Sequence, residues 1–330
     1  MRVLITGGAG FIGSHLSDFL LDAGHTVTVI DNYITGSRDN VQHLTSHPEF
    51  TLVEGDVQTV ELLNPLVADS DYVVHLAAPV GVKFIMNNPV HTILDCVHST
   101  ETLLEAIRKY RKPVLIASTS EIYGKHLDIL DPDGKQRLKE EDYRIEGSSR
   151  NHRWAYANVK SLTEFLTFAY IKQYQIQAVI TRFFNTAGPR QRSEYGMVIP
   201  NFVQSALKGE TLKIYGAGNQ RRSFIHIKDT VQAIEKLMLN TEVFGEVFNV
   251  GNPDELSISA LAERIITLTG SKSGIEHVPY ATAYGEGFEE MDRRTADISK
   301  LHLFTGFEIG SDLNDILKDV IQYEKIKLEK

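Results

Sequence analysis

The chain has 330 residues, 42% hydrophobic and 23% charged, and its 34 Lys and Arg against 43 Asp and Glu leave a net charge of −9. A chain this long builds a large core without metal or disulfide staples, and its lone cysteine, Cys96, excludes an internal disulfide framework. The acidic balance argues against a nucleic-acid partner, which needs clustered Lys and Arg, and no apolar run approaches the ~20 residues of a membrane span, so the cytoplasm is the expected compartment.

Residues 2–6 form a short β-prone run, followed by the glycine turn Gly7-Gly8-Ala9-Gly10-Phe11-Ile12-Gly13. Residues 14–23 have apolar positions at helical spacing, and Gly24 fits a helix stop. A second strand over 26–30 ends at Asp31-Asn32. Strand, glycine turn, helix, strand and acid in this order predict a dinucleotide site. Gly7, Gly10 and Gly13 allow the tight turn and close backbone approach to a pyrophosphate, with Phe11 and Ile12 inside the same turn. Asp31 follows Gly13 by 18 residues, where a carboxylate accepts from ribose hydroxyls and repels a 2′-phosphate. That favours NAD over NADP, although Arg38 is close by.

The alternation continues with strands over 50–53, 72–76 and 114–117 and a helix over 99–110, which predicts a parallel doubly wound α/β sheet. Asp56 and Val57 follow one strand end, and Leu76-Ala77-Ala78 another; both groups are expected at the cofactor. Residues 125–152 are rich in charge, Gly and Ser and read as a solvated loop or a substrate lid. His43 and His47 lack a third ligand type nearby, so no metal is expected.

Two clusters carry chemistry. Ser118-Thr119-Ser120-Glu121 follows the 114–117 strand, at the end of the sheet where ligands bind. Tyr156 and Lys160, four residues apart, share one face of a helix over 156–173. A neighbouring ammonium and a positive nicotinamide favour the phenolate, which makes Tyr156 a general base.

These motifs, with Arg182-Phe183-Phe184-Asn185-Thr186-Ala187-Gly188-Pro189-Arg190, residues 215–224 and Phe248-Asn249-Val250-Gly251, resemble extended short-chain dehydrogenases/reductases acting on nucleotide sugars, the NAD-dependent epimerase/dehydratase group. The resemblance implies a Rossmann domain over 1–184 plus about 226–250. It implies a smaller α/β substrate domain over about 185–225 and 251–330, and a homodimer through helices 99–110 and 156–173. It implies a UDP-sugar whose diphosphate is held by Asn185 and Arg222 and whose base lies along Val198. Lys83, Arg190 and Tyr215 are further expected substrate contacts.

Thr119-Ser120-Glu121 before Ile122-Tyr123-Gly124, Lys109-Tyr110-Arg111-Lys112, Arg153-Trp154-Ala155-Tyr156, and Tyr284-Gly285-Glu286-Gly287-Phe288 ahead of Arg293-Arg294 resemble the UDP-glucuronic acid decarboxylases. A 4,6-dehydratase has Asp-Glu after the threonine, and a 4-epimerase has small or hydroxyl residues there. The implied catalytic set is Thr119, Ser120, Glu121, Tyr156, Lys160 and Arg294, with Arg294 and Glu121 beside C5 of the sugar. A UDP-sugar 4-epimerase and a non-catalytic NAD sensor remain as alternatives.

Overall fold

The computed structural model describes residues 1–79, 81–284 and 289–329, without side chains for Val82, Lys83, Tyr195, Ala283 and Tyr284. The chain runs β1 (Arg2–Thr6), α1 (Phe11–Asp22), β2 (Thr26–Asp31), β3 (Phe50–Glu54), α2 (Val60–Asp69), β4 (Tyr72–His75), α3 (Val82–Asn87), α4 (Pro89–Tyr110) and β5 (Val114–Thr119). It continues through α5 (His126–Leu130), α6 (Ala155–Tyr174), β6 (Ala178–Phe183), β7 (Asn185–Ala187), α7 (Val198–Lys208), β8 (Leu212–Tyr215) and β9 (Arg221–His226). It ends with α8 (Ile227–Met238), β10 (Val247–Val250), β11 (Glu255–Ser257), α9 (Ile258–Thr269), β12 (Ile275–Val278), α10 (Tyr280–Tyr284), β13 (Arg293–Arg294), α11 (Ser299–Thr305) and α12 (Leu313–Leu328).

The fold is α/β, as the alternation predicts. Seven parallel strands stand in the order β10-β6-β5-β4-β1-β2-β3. Their Val- and Ile-rich runs are buried on both faces, as a helix-covered parallel sheet demands. One apolar layer packs α1 and α8 on one face, and another packs α2, α4 and α6 on the other. Strand order reverses between β1 and β4, so the crevice beyond their carboxyl ends is the natural ligand site. The chain leaves this sheet after β6 and returns to it as β10.

The remaining elements form a second body. β11, β9 and β13 make a small sheet that β7 joins through β9, and β8 pairs with β12. A separate core packs α7, α9 and α12.

Three local boundaries differ from the sequence reading. Helix α4 begins at Pro89 rather than 99, because proline is tolerated in a first helical turn. Strand β5 runs on to Thr119, so both hydroxyls of Ser118-Thr119 belong to the strand. The 125–152 stretch is not a lid, since none of its residues lines the cleft. Its polar groups are taken up by the segment carrying Arg294: Leu138 N–H donates to Thr295 O at 2.8 Å, and Asp128 accepts from the Arg293 N–H at 2.9 Å. Nor is its charge run wholly solvated: Glu140 is buried and accepts the Asn249 N–H at 2.8 Å.

Candidate active site

One cleft of about 1430 Å³ runs between the two bodies and is lined by every site residue selected from the sequence except Lys83, whose side chain lies outside the described residues. Drug-sized pockets reach only ~1,000 Å³, so this cleft has room for two ligands end to end. Of the 284–288 motif only the backbone of Tyr284 is described.

The glycine turn forms one end. A Cβ on Gly7 would lie 2.8 Å from Ala77 N, and one on Gly13 would lie 2.4 Å from Gly7 O. The turn therefore closes tightly on the Leu76-Ala77 strand end, and α1 starts directly above it. Asp31 is buried; its Oδ2 accepts from Ala9 N at 2.9 Å and its Oδ1 from Tyr33 N at 2.8 Å. Burial pushes its carboxyl up, partly offset by those two bonds. Each carboxylate oxygen keeps a further lone pair for a hydroxyl. Asn32 Nδ2 donates to Asp56 Oδ2 at 3.0 Å, tying the ends of β2 and β3 together. This glycine-cradled crevice fits a dinucleotide.

The middle of the cleft brings Thr119, Ser120, Tyr156 and Lys160 together. Lys160 is buried and donates to Ala117 O at 2.8 Å, which fixes α6 against β5. The same helix is held lower down by a bidentate pair: Arg182 Nε and Nη2 donate to Glu164 at 3.0 and 2.7 Å. The expected lowering of the Tyr156 phenol is not present in the free protein. Burial is the main cause that pushes it up, with smaller contributions from the Cys96 thiol and the Glu121 carboxylate, while burial pushes the Lys160 ammonium down.

The far end is a buried charge cluster. Glu121 accepts from both Arg153 and Arg294, and Glu290 Oε1 stands 3.4 Å from Arg153 and 3.1 Å from Arg222. Burial alone would raise the Glu121 carboxyl, but the two guanidiniums outweigh it and hold it well below the usual range. Arg294 also donates to Asn185 Oδ1 at 2.7 Å, and Asn185 donates to Ser223 O at 2.9 Å. Arg222 donates to Met291 O at 2.8 Å and Arg221 O at 2.8 Å, and burial lowers its pKa. Both candidates for the diphosphate, Asn185 and Arg222, are thus already engaged with backbone and the cluster. Arg190 pairs with Asp18 of α1 at 2.8 Å, on the glycine-turn side of the cleft. Val198 opens α7 and Tyr215 ends β8, both on the second body.

Arg153 and Glu290 are cluster members to which the sequence reading gave no role. Glu290 sits in an acidic pair with Glu289 and looks like ordinary surface. Arg153 lies three residues before Tyr156, a helical-turn spacing that could have marked it.

Fold and site together define a dinucleotide-dependent enzyme with a second, anionic ligand in the same cleft. The NAD dependent epimerase/dehydratase family matches residues 3–251, and the chain belongs to that family, with NAD as its cofactor. It is 39% identical to a UDP-N-acetyl-alpha-D-glucosaminuronate decarboxylase of Bacillus cytotoxicus, over 98% of this chain and 97% of that protein. It is 37% identical to UDP-glucuronic acid decarboxylase 1 of Danio rerio, over 99% of this chain and 73% of that protein. The crystal structure of UDP-glucuronic acid 4-epimerase from Bacillus cereus, in complex with UDP-glucuronic acid and NAD, superposes with a TM-score of 0.88. That likeness covers 99% of this chain and 100% of that one at 28% identity.

Proposed function

We propose that the protein is an NAD-dependent UDP-glucuronate decarboxylase that forms UDP-xylose. The observation that carries this reading is the far end of the cleft: among the described residues, Arg153 and Arg294 converge on Glu121, with Arg222 and Glu290 beside them and Arg222 left for the diphosphate. A guanidinium beside the reacting centre gives a substrate carboxylate a charge-assisted partner there.

The residues divide the work. Tyr156 Oη takes the proton of the sugar C4 hydroxyl, and Thr119 Oγ1 orients that hydroxyl. NAD, when bound, accepts hydride from C4 and later returns it. Once C4 is a ketone the substrate is a β-keto acid, and the electrons released with carbon dioxide pass into an enolate. Tyr156 and Thr119 hydrogen-bond the enolate oxygen. Arg294 holds the departing carboxylate, with Glu121 and Ser120 beside it. Glu121, pinned as a carboxylate between two arginines, acts as their counter-ion rather than as the acid that protonates C5; that proton comes from a solvent water, and the reduction at C4 that follows takes the proton of Tyr156 back onto O4. The glycine turn, Asp31, Asn32, Asp56, Val57, residues 76–78 and Lys160 hold the cofactor. Asn185, Arg222, Val198, Tyr215, Arg190 and Lys83 form the nucleotide-sugar side, with residues 185–225 and 251–330 as the substrate domain. The protein acts as a lyase, in the cytoplasm.

A homodimer fits the exposed apolar side chains of the packed helix pair α4 and α6: Val90 (69% exposed), Leu94 (48%), Leu162 (53%) and Phe165 (63%). A second substrate reading, the 2-acetamido uronate, is favoured by the 39% identical relative. Incubation with each UDP-uronate, followed by NMR and carbon dioxide release, tests both. UDP-galacturonate without carbon dioxide would replace the decarboxylase with a 4-epimerase. Unchanged substrate would favour an NAD sensor.

A further inference from the structure

We infer that Asp128, on α5, is a positioning residue that sets the Arg294 guanidinium for the substrate carboxylate; this rests on the role given to Arg294 above. Among the described residues the two-residue strand β13 pairs with β9 alone, too short a ladder to hold a buried charged side chain in one place. Asp128 makes up the difference. Its Oδ2 accepts the Asp292 N–H and its Oδ1 the Arg293 N–H, each at 2.9 Å. One carboxylate thus fixes two consecutive peptides immediately before Arg294.

The neighbouring contacts reinforce the clamp. Arg293 donates to Asp131 at 2.6 Å and to Glu255 at 3.1 Å, on the face of β13 opposite Arg294. Asp131 is itself held by the N–H groups of Lys135 at 3.1 Å and Gln136 at 2.8 Å. Beyond Arg294, Leu138 accepts the Asp297 N–H at 2.9 Å. The loop therefore grips the strand on both sides of the arginine. Helix α5 is anchored in turn, with His126 Nδ1 at 2.8 Å from Tyr143 O. Asp128 lines no part of the cleft, so it acts only through Arg294.

The test compares ligands that differ in one carboxylate. In a Tyr156→Phe background, which prevents turnover, NAD-loaded protein is titrated calorimetrically with UDP-glucuronate and with UDP-glucose. The parent should prefer the uronate. Adding Asp128→Ala should weaken UDP-glucuronate about tenfold or more, the scale of a charged hydrogen bond, and leave UDP-glucose and NAD unchanged. If Asp128→Ala does not fold, Asp128→Asn, which keeps the size and one acceptor oxygen, decides the same comparison. An undiminished preference for the uronate would overturn the proposal, and so would equal weakening of both sugars, the mark of general damage. A parent that does not distinguish the sugars would overturn the role of Arg294 and the proposal with it. That failure is visible before Asp128 is changed.

Discussion

Arg222 and Arg294 are register partners on the parallel strands β9 and β13, and both reach the same cleft. Two like charges side by side in a buried place repel, and the Arg222 pKa is lowered by burial first and by Arg294 among its neighbours. The arrangement persists because Glu290 stands 3.1 Å from Arg222 and Glu121 accepts from Arg294. Their positions suggest a division of labour, with Arg222 toward the nucleotide side and Arg294 toward the reacting sugar.

Replacing Arg294 by Ala should therefore separate uronate from neutral sugar. Truncating one member of a buried charge pair costs about 2–5 kcal/mol, so kcat/KM for UDP-glucuronate should fall by roughly two orders of magnitude. NAD affinity should be unchanged. Steady-state kinetics alongside NAD titration checks this.

Tyr156→Phe should nearly abolish turnover while NAD still binds. The base form is the phenolate, and burial raises the phenol of the free protein, so kcat/KM should rise with pH along its acid limb. Lys160→Met removes a neighbouring cation and should move that limb to higher pH. A pH profile of each variant reads the shift directly; an unmoved limb would contradict the coupling.

Acid should destabilise the site through Glu121. Its folded pKa lies below its ordinary 4.5, so its contribution is complete above that pH and is lost as pH falls further. Glu121→Gln strands two buried guanidiniums, and breaking such a pair costs about 3–5 kcal/mol. Denaturant unfolding should show that loss at pH 7 and a flatter stability curve on the acid side.

His75 and His15 act in a neighbouring window. Burial lowers His75 to about 3 and His15 to about 4, from 6.5. Unfolding exposes both to protonation, so stability should decline as pH drops from 6.5 toward 4, with roughly two protons taken up from these groups. The pH dependence of the unfolding free energy measures that uptake, and His75→Gln should remove about one of the two.

Gly13→Ala should block the cofactor, and turnover with it, while leaving the sugar-side residues in place. The added Cβ would come within 2.4 Å of Gly7 O, a backbone atom that cannot step aside alone. Loss of NAD binding by fluorescence titration is the expected outcome.

The glycine turn, Asp31 and the alternating strands were legible because each follows from local sequence chemistry. The same holds for Tyr156 and Lys160, one helical turn apart. The charge cluster was legible only in part. Arg294 and Glu121 entered through resemblance, whereas Glu290 belongs to the site through tertiary contact with Arg153 and Arg222. The 125–152 stretch misled as a lid because its polar composition is the same whether its partners are water or another segment. Local spacing also put Lys160 beside Tyr156 and predicted a lowered phenol. Burial, which depends on the whole fold, set the opposite direction.

Strand β13 consists of two arginines in succession, Arg293 and Arg294. A slip of one residue against β9 would exchange their faces; in one direction it would bring Arg293 opposite Arg222, with Asp292 taking the place that Arg293 left. At the place of Arg294 itself such a slip leaves side-chain type and size unchanged. There the fixed acids distinguish the two frames, with Asp131 and Glu255 claiming Arg293 and Glu121 claiming Arg294. Which arginine becomes the working one is thus decided by carboxylates remote in the chain, so exchanging or neutralising those acids is a route to frame error in which every active-site residue type is retained.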